Sequence, residues 1–374
     1  MVEKKIGNNF WRKFSRNWLT KLSLVIISFY CFTAIFAYVI APDNTKEANE
    51  QISELALHDP GTKIKLLTLK TPQVKEVQSF YSILLKGKKK QNLYIPFNKY
   101  SVKEDSIIIE HYLGINPFTR KRLSDKIERY KVNYFETLNG IQKTTPVIIN
   151  KSYPLGSDGF GRCILSRAII GSRISITVGI LAVLISLSIG ILIGLIAGYA
   201  GGKTDDFLML IINTIWSVPT ILLVFAIVLA LGRGIQIIYL AVGLTLWVDV
   251  ARIVRGQVLS LKENIYIEAA RSLGYSKGRI LFKHILPNIM GPIWVVATGN
   301  FATAIILEAG LSYLGFGIQP PMPSWGNMLN ENYGYALSGN YSLAIIPSLA
   351  IVILVLSVNI VGNALRDAYD VKID

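Results

Sequence analysis

The sequence predicts an all-α polytopic membrane protein of about six transmembrane helices, with a β-rich α+β domain inserted after the first of them. Three observations carry that expectation. Of the 374 residues, 51% are hydrophobic and 17% charged, where soluble domains average about 25% charged, and the mean hydropathy is +0.42. Charge-free runs of roughly 20 residues, the length that crosses about 30 Å of hydrocarbon, occur at 22–41, 174–202, 207–232, 288–307 and 343–362, with a shorter one at 234–248. Between the first and second runs, 42–150 is polar by comparison and has no run of span length.

The elements follow in chain order. The basic opening "KKIGNNFWRKFSRNWLTK" leads into 22–41, a run longer than a signal-peptide core and followed by no A-x-A site, so 1–41 reads as a tail and an uncleaved first span. The insertion 42–150 carries strand-like patches, "KIKLLTLK", "NLYIPF", "DSIIIEHYL" and "TPVIIN", and a more helical stretch near 120–129. Its lysine run "KGKKK" at 86–90 reads as a solvated loop tip, with an acidic ligand or lipid headgroups as the alternative. His58 and His111 have no metal-ligand spacing around them, so no metal is expected. The remainder, 151–374, supplies the other five spans. The run 234–248 reaches span length by taking Asp249 and Arg252 into its end, where a charge costs less than at the bilayer centre.

The net charge of +15 would suit a nucleic-acid partner, but the excess sits beside membrane segments, in the N-terminal tail and in the loop 253–288. That distribution is the positive-inside signature and places both termini and that loop in the cytoplasm. The insertion 42–150 then lies outside, where a long translocated domain escapes the charge rule even with its lysines. Cys31 falls in the first span and Cys163 well beyond it, so no structural disulfide is expected.

Single motifs add assembly rather than chemistry. "GYAGGKT" ends like a phosphate-binding loop, but alanine stands at 197 where that pattern needs glycine, and the stretch follows a membrane helix instead of a strand. Gly190, Gly194 and Gly198 recur every four residues, a seam where a second helix can approach closely. Asp249 has Arg252 three residues on, the spacing of a local ion pair. Glu308, near the end of its span, reads as a packed acid or a pathway-lining one.

The charged stretch "IEAARSLGYSKGRILFKHILPN" at 267–288 has a readable grammar. Asn264 caps a helix to Leu273, Gly274 ends it in the left-handed conformation, a second helix runs from about Ser276 to Leu286, and Pro287 opens the next span. Ala269 and Ala270 keep the first helix thin enough to enter a partner's cleft. "EAARSLG" followed by "HILPN" resembles the cytoplasmic signature of ABC importer permeases, in the form of the dipeptide, oligopeptide and nickel branch. "YPLGSDGFGRCILSRAIIGSRIS", "AGYAGGKTDD", "LSYLGFGIQPPMPSWGNML" and the terminal "NALRDAYD" are similar to other segments of that branch. Two departures stand out: His284 replaces the isoleucine of the general family pattern, as in the peptide and nickel branch, and 42–150 is much longer than the usual outer segment.

The resemblance implies a half-channel in the bacterial inner membrane. Its partners would be a second related permease, two cytoplasmic ATPase subunits, an extracytoplasmic substrate-binding protein and membrane lipid. It implies no catalytic residue, metal or cofactor in this chain, since ATP and Mg belong to the ATPase subunits, and no nucleic acid. The residues it assigns to ATPase coupling are Glu268, Ala269, Ala270, Gly274, Leu286 and Pro287. A stand-alone secondary transporter or channel is the alternative, and would call for inverted repeats and ionisable groups near mid-membrane. A protein built to display 42–150 for signalling or adhesion would leave the loop grammar unexplained.

Overall fold

A computed structural model describes residues 14, 17–69, 78–89, 93–103, 106–114, 123, 126–131 and 147–369. The N-terminal basic tail, Lys90 of the lysine run and Asp370 lie outside these, apart from Phe14 and 17–21 of the tail. The chain divides into two compact units, one of residues 1–32, 174–319 and 349–374, the other of 33–173 and 320–348.

The first unit is helical. Helix α1 (Trp18–Ile35) is followed, after Phe36, by the short α2 (Ala37–Ile40) of the second unit, so the first apolar run contains a break near its end. Within the second unit β1 (Thr62–Leu69), helix α3 (Phe80–Lys86), β2 (Leu93–Lys103), β3 (Ser106–His111), β4 (Lys126–Lys131) and β5 (Ile148–Tyr153) come next. Then follow α4 (Ile164–Ala200), α5 (Gly202–Trp216), α6 (Thr220–Leu231), α7 (Ile235–Leu261) and α8 (Ile265–Ser272). A turn at Lys277–Arg279 and a π-helical segment, Ile280–Ile285, lead into α9 (Leu286–Tyr313), and α10 (Trp325–Leu337) and α11 (Ser342–Tyr369) complete the chain.

Among the described residues, five helical segments are long and apolar enough to cross a membrane: α1, α4, α7, the rod Lys277–Tyr313 and α11. The expected span at 207–232 is not one straight helix. It is the pair α5 and α6, bent by 89°. The bend falls at "SVP", where Pro219 offers no N–H and disfavours helical backbone at Val218.

The insertion forms a five-stranded antiparallel sheet in the order β4-β3-β2-β1-β5. Leu67, Phe97, Ile107 and Ile109 form one of its cores. The strand-like patches form strands where their residues are described, whereas 126–129, expected to be helical, opens β4; residues 120–122 and 124–125 of that expectation lie outside the described set. His58, four residues before β1, is 5% exposed. Its Nδ1 donates to the Ala56 carbonyl, which leaves Nε2 to accept from the Tyr112 hydroxyl, and burial holds its pKa below the usual histidine value.

Candidate functional site

The site is the surface of α8 and the elements that hold it. Asn264 stands in extended backbone before α8, with its carbonyl accepting from Ile267 and Glu268 N–H at 2.9 and 3.2 Å. At the other end Gly274 has φ +79°. Its N–H bonds to the Arg271 carbonyl at 3.0 Å, and the Tyr275 N–H reaches back to Ala270 at 3.1 Å. This reciprocal pair is a Schellman motif, which needs a residue at ease in left-handed backbone.

Alternation of faces then sorts the residues. Ile267 and Ala270 point inward, into a cluster with Leu195 of α4, Val250, Val254 and Val258 of α7, and Ile280, Ile285 and Ile289 of the rod. Outward face Glu268, Ala269, Ile265 at 84% exposure and Leu273 at 73%. Ile265, Ala269 and Leu273 recur every four residues, so they form one exposed stripe. Ala270, read from sequence as part of the thin outer face, is therefore a seat residue of the chain's own core. A Cβ on Gly274 would meet nothing within 4 Å.

The second helix, expected over about Ser276 to Leu286, and the span that Pro287 opens are one continuous rod, Lys277–Tyr313. Leu286 N–H bonds to the carbonyl of Leu281, five residues back, in the wide π-helical turn. Pro287 then falls at the opening of α9, where its missing N–H disturbs least. Asn288 Nδ2 donates to the His284 carbonyl at 2.6 Å, and the His284 ring stacks on Tyr275 at 5.8 Å, with the Arg279 guanidinium 4.5 Å from the Tyr275 ring centre. Leu286 is half-buried and packs against the cluster, while Pro287 is exposed.

Gly190, Gly194 and Gly198 face α7. A Cβ on each would stand 2.5 Å from Val250 Cβ, 2.6 Å from the Ala251 carbonyl oxygen and 2.7 Å from Val258 Cβ respectively. The same α4 end is tied by a pair that sequence reasoning missed. Arg255 of α7 holds Asp205 of α5 through two bonds of 2.6 Å, Nε to Oδ1 and Nη2 to Oδ2. Lys262 Nζ donates to the Gly198 carbonyl at 3.3 Å.

One expectation about the charges in the apolar segments is corrected and one open reading is decided. Arg252 does not pair with Asp249. Its guanidinium lies 4.1 Å from the Trp216 ring centre, and Asp249 is exposed. Glu308 is fully buried, accepting from Ser175 Oγ at 3.1 Å and Ser312 Oγ at 2.8 Å, so its place is in packing between α4 and α9, not on an open pathway.

The second unit holds its own buried ionic group. Arg162 reaches Asp158 at 2.6 Å and Glu331 at 2.5 Å, and Arg167 reaches Glu331 at 2.9 Å. Trp325 Nε1 donates to the Ala168 carbonyl at 3.0 Å. The stretch from Asp158 to Ala168 is thus joined to helix α10 through Glu331 and Trp325.

Residues 190–374 match the family model described as "binding-protein-dependent transport system inner membrane component", and 7–60 match "N-terminal TM domain of oligopeptide transport permease C". The oligopeptide transport system permease protein OppC of Bacillus subtilis is 42% identical over 224 residues, 60% of this chain and 73% of that protein. The glutathione transport system permease protein GsiD of Pectobacterium atrosepticum is 44% identical over 219 residues, 59% of this chain and 72% of that protein. A solved structure of the MetNI methionine ABC transporter in an inward-facing conformation aligns with a TM-score of 0.46 at 20% identity, over 54% of this chain and 96% of that one. With the apolar helices and the charged loop between them, the family match and the two curated permeases make the chain a member of the binding-protein-dependent transport system inner membrane component family, the permease subunits of ABC importers.

Proposed function

We propose that the chain forms half of a translocation pathway for short peptides and takes its drive from α8. The partners in this reading are a second related permease, two cytoplasmic ATPase subunits that bind ATP and Mg, and an extracytoplasmic substrate-binding protein. The membrane is the bacterial inner membrane, with both termini and α8 on the cytoplasmic side and 42–150 outside. The substrate class follows the relatives, named for oligopeptides and for glutathione, which share amide-linked amino acids.

One observation carries the reading: an exposed apolar stripe, Ile265, Ala269 and Leu273, stands on a helix whose other face is locked into the core by Ile267 and Ala270. An ATPase cleft would close on that stripe, with Glu268 beside it and Gly274 setting the angle to the rod that begins with Leu286 and Pro287. No catalytic group is required of this chain, because hydrolysis takes place in the partner.

Ala269→Trp and Glu268→Lys test it, since both side chains are exposed and neither change disturbs the seat. The protein should reach the membrane in normal amounts, co-purify with less ATPase and transport poorly. Gly274→Val adds about 1–2 kcal/mol of backbone strain and should uncouple ATPase turnover from substrate. Full ATPase recruitment and transport by the Ala269 and Glu268 variants at equal abundance would remove the coupling role from α8.

A further inference from the structure

We infer that helix α3 and the lysines after it form an anchor that seats the inserted unit on the headgroups of anionic phospholipids. The inference stands on geometry that the transport reading does not use. Helix α3 is short, yet its Phe80, Tyr81 and Leu85 are 59%, 74% and 62% exposed, an arrangement that a water-facing helix has no reason to keep. Lys86, Lys88 and Lys89 follow, all exposed. Together with Lys46 they ring a shallow hollow of about 530 Å³, in which Glu47 is the one acidic lining residue.

The position of this patch follows from its contacts. α2 (Ala37–Ile40) closes the charge-free run 22–41, whose length is about that of one hydrocarbon crossing. Helix α3 packs on α2. A Cβ on Gly87 would stand 2.8 Å from Lys46 Cα and 3.0 Å from the Tyr38 ring, so a glycine is needed for this close approach. The Tyr38 hydroxyl donates to the Lys46 carbonyl at 2.8 Å. Arg173, the last charge before the run 174–202, donates to the Leu84 carbonyl at 2.8 Å and lies 5.0 Å from the Tyr38 ring centre. Residues at the ends of two charge-free runs, Tyr38 of 22–41 and Arg173 just before 174–202, thus hold α3 beside the points where those runs stop.

At that level aromatic and aliphatic side chains enter the acyl boundary while lysines meet phosphates. Four lysines against one glutamate favour an anionic surface over a zwitterionic one. The charge also argues against a mere solvated loop tip, which would not pair its lysines with three exposed apolar side chains.

Depth measurement on the full chain tests this. A fluorophore on Tyr81→Cys is read in vesicles of phosphatidylcholine and in vesicles of equal parts phosphatidylcholine and phosphatidylglycerol, with the parent chain's Cys31 and Cys163 as the blank. The expected result is quenching by nitroxides near the top of the acyl chains and severalfold protection from aqueous iodide, greater with phosphatidylglycerol. Lys86→Glu combined with Lys88→Glu should abolish the phosphatidylglycerol effect without changing protein abundance. Iodide quenching equal to that of free dye in both vesicles would overturn the anchor. Protection that ignores lipid charge would overturn the anionic recognition, and protection that appears only when the soluble binding protein is added would replace lipid with protein as the occupant.

Discussion

Replacing Gly194 by alanine tests the helix seam most directly. The added Cβ would stand 2.6 Å from the Ala251 carbonyl oxygen, 2.7 Å from Val254 Cβ and 2.9 Å from its Cγ1. Carbon atoms meet comfortably near about 3.5 Å, so α4 and α7 must part by roughly 1 Å. The first two blocking atoms are backbone or directly attached to it, and cannot swing away as the tip of a lysine would. Overpacking of this kind costs about 1–3 kcal/mol, and alanine's better helix propensity returns roughly 1 kcal/mol. The expected net loss is about 0–2 kcal/mol at one site, whereas a control free of that contact should gain stability. Gly256, on α7, is the matched control, because a Cβ there meets nothing within 4 Å. Gly256→Ala should therefore stabilise by about 0.4–1 kcal/mol. Reversible unfolding in mixed detergent, followed by tryptophan emission, compares the two variants. If Gly194→Ala is as stable as Gly256→Ala, the two helices are not in close contact at this seam and the reasoning fails.

Three other outcomes are expected. Asp205→Asn and Arg255→Met should each lose roughly 1–2 kcal/mol, discounted because the pair is partly solvated, and a double-mutant cycle should show coupling; additive losses would mean the pair contributes nothing. Glu331→Ala leaves Arg162 and Arg167 buried beside a single carboxylate, Asp158, and should cost about 3–5 kcal/mol, seen as early proteolysis of the second unit; unchanged resistance would count against it. His58 titrates lower folded than unfolded, so the unfolded chain takes up the proton first and stability falls as the pH drops below the ordinary value of 6.5. Unfolding of the second unit should follow that direction, and His58→Gln should remove the dependence.

How much of this was legible depended on whether a feature is local. Charge-free runs and a glycine every fourth residue are properties of one segment, and the spans and the glycine positions could be read from them. Strand β4, "KIERYK", was not recognised because four of its six residues are charged and its polar spacing reads as helix. The sheet order explains the charges: β4 is an edge strand, where charged side chains discourage pairing with another chain. Asp205 and Arg255 are 50 positions apart, so no spacing rule could join them. The same rule assigned Arg252 to Asp249, but an arginine beside a tryptophan face has a competing partner in the ring. Pro287 opens the last helix of the rod as its position implies, but the π-helical turn that joins it to the helix before is visible only in the hydrogen-bond ladder.

That continuity decides what a push on α8 would do. To move alone, α8 would have to withdraw Ile267, which is fully buried, at a cost of about 1.5–3 kcal/mol for that side chain, and break the two Schellman bonds at Gly274 as well. Moving α8 together with its neighbours exposes none of that surface, because the cluster that seats it also contains residues of α4, α7 and the rod through Ile293. The joint between α8 and the rod is short and hydrogen-bonded, and no break follows it at Pro287. A partner that closes on Ile265, Ala269 and Leu273 would therefore displace the ends of three membrane helices as one body. Flexing belongs elsewhere, and the 89° bend between α5 and α6, where Pro219 interrupts the backbone ladder, is the segment least able to transmit a push along its axis.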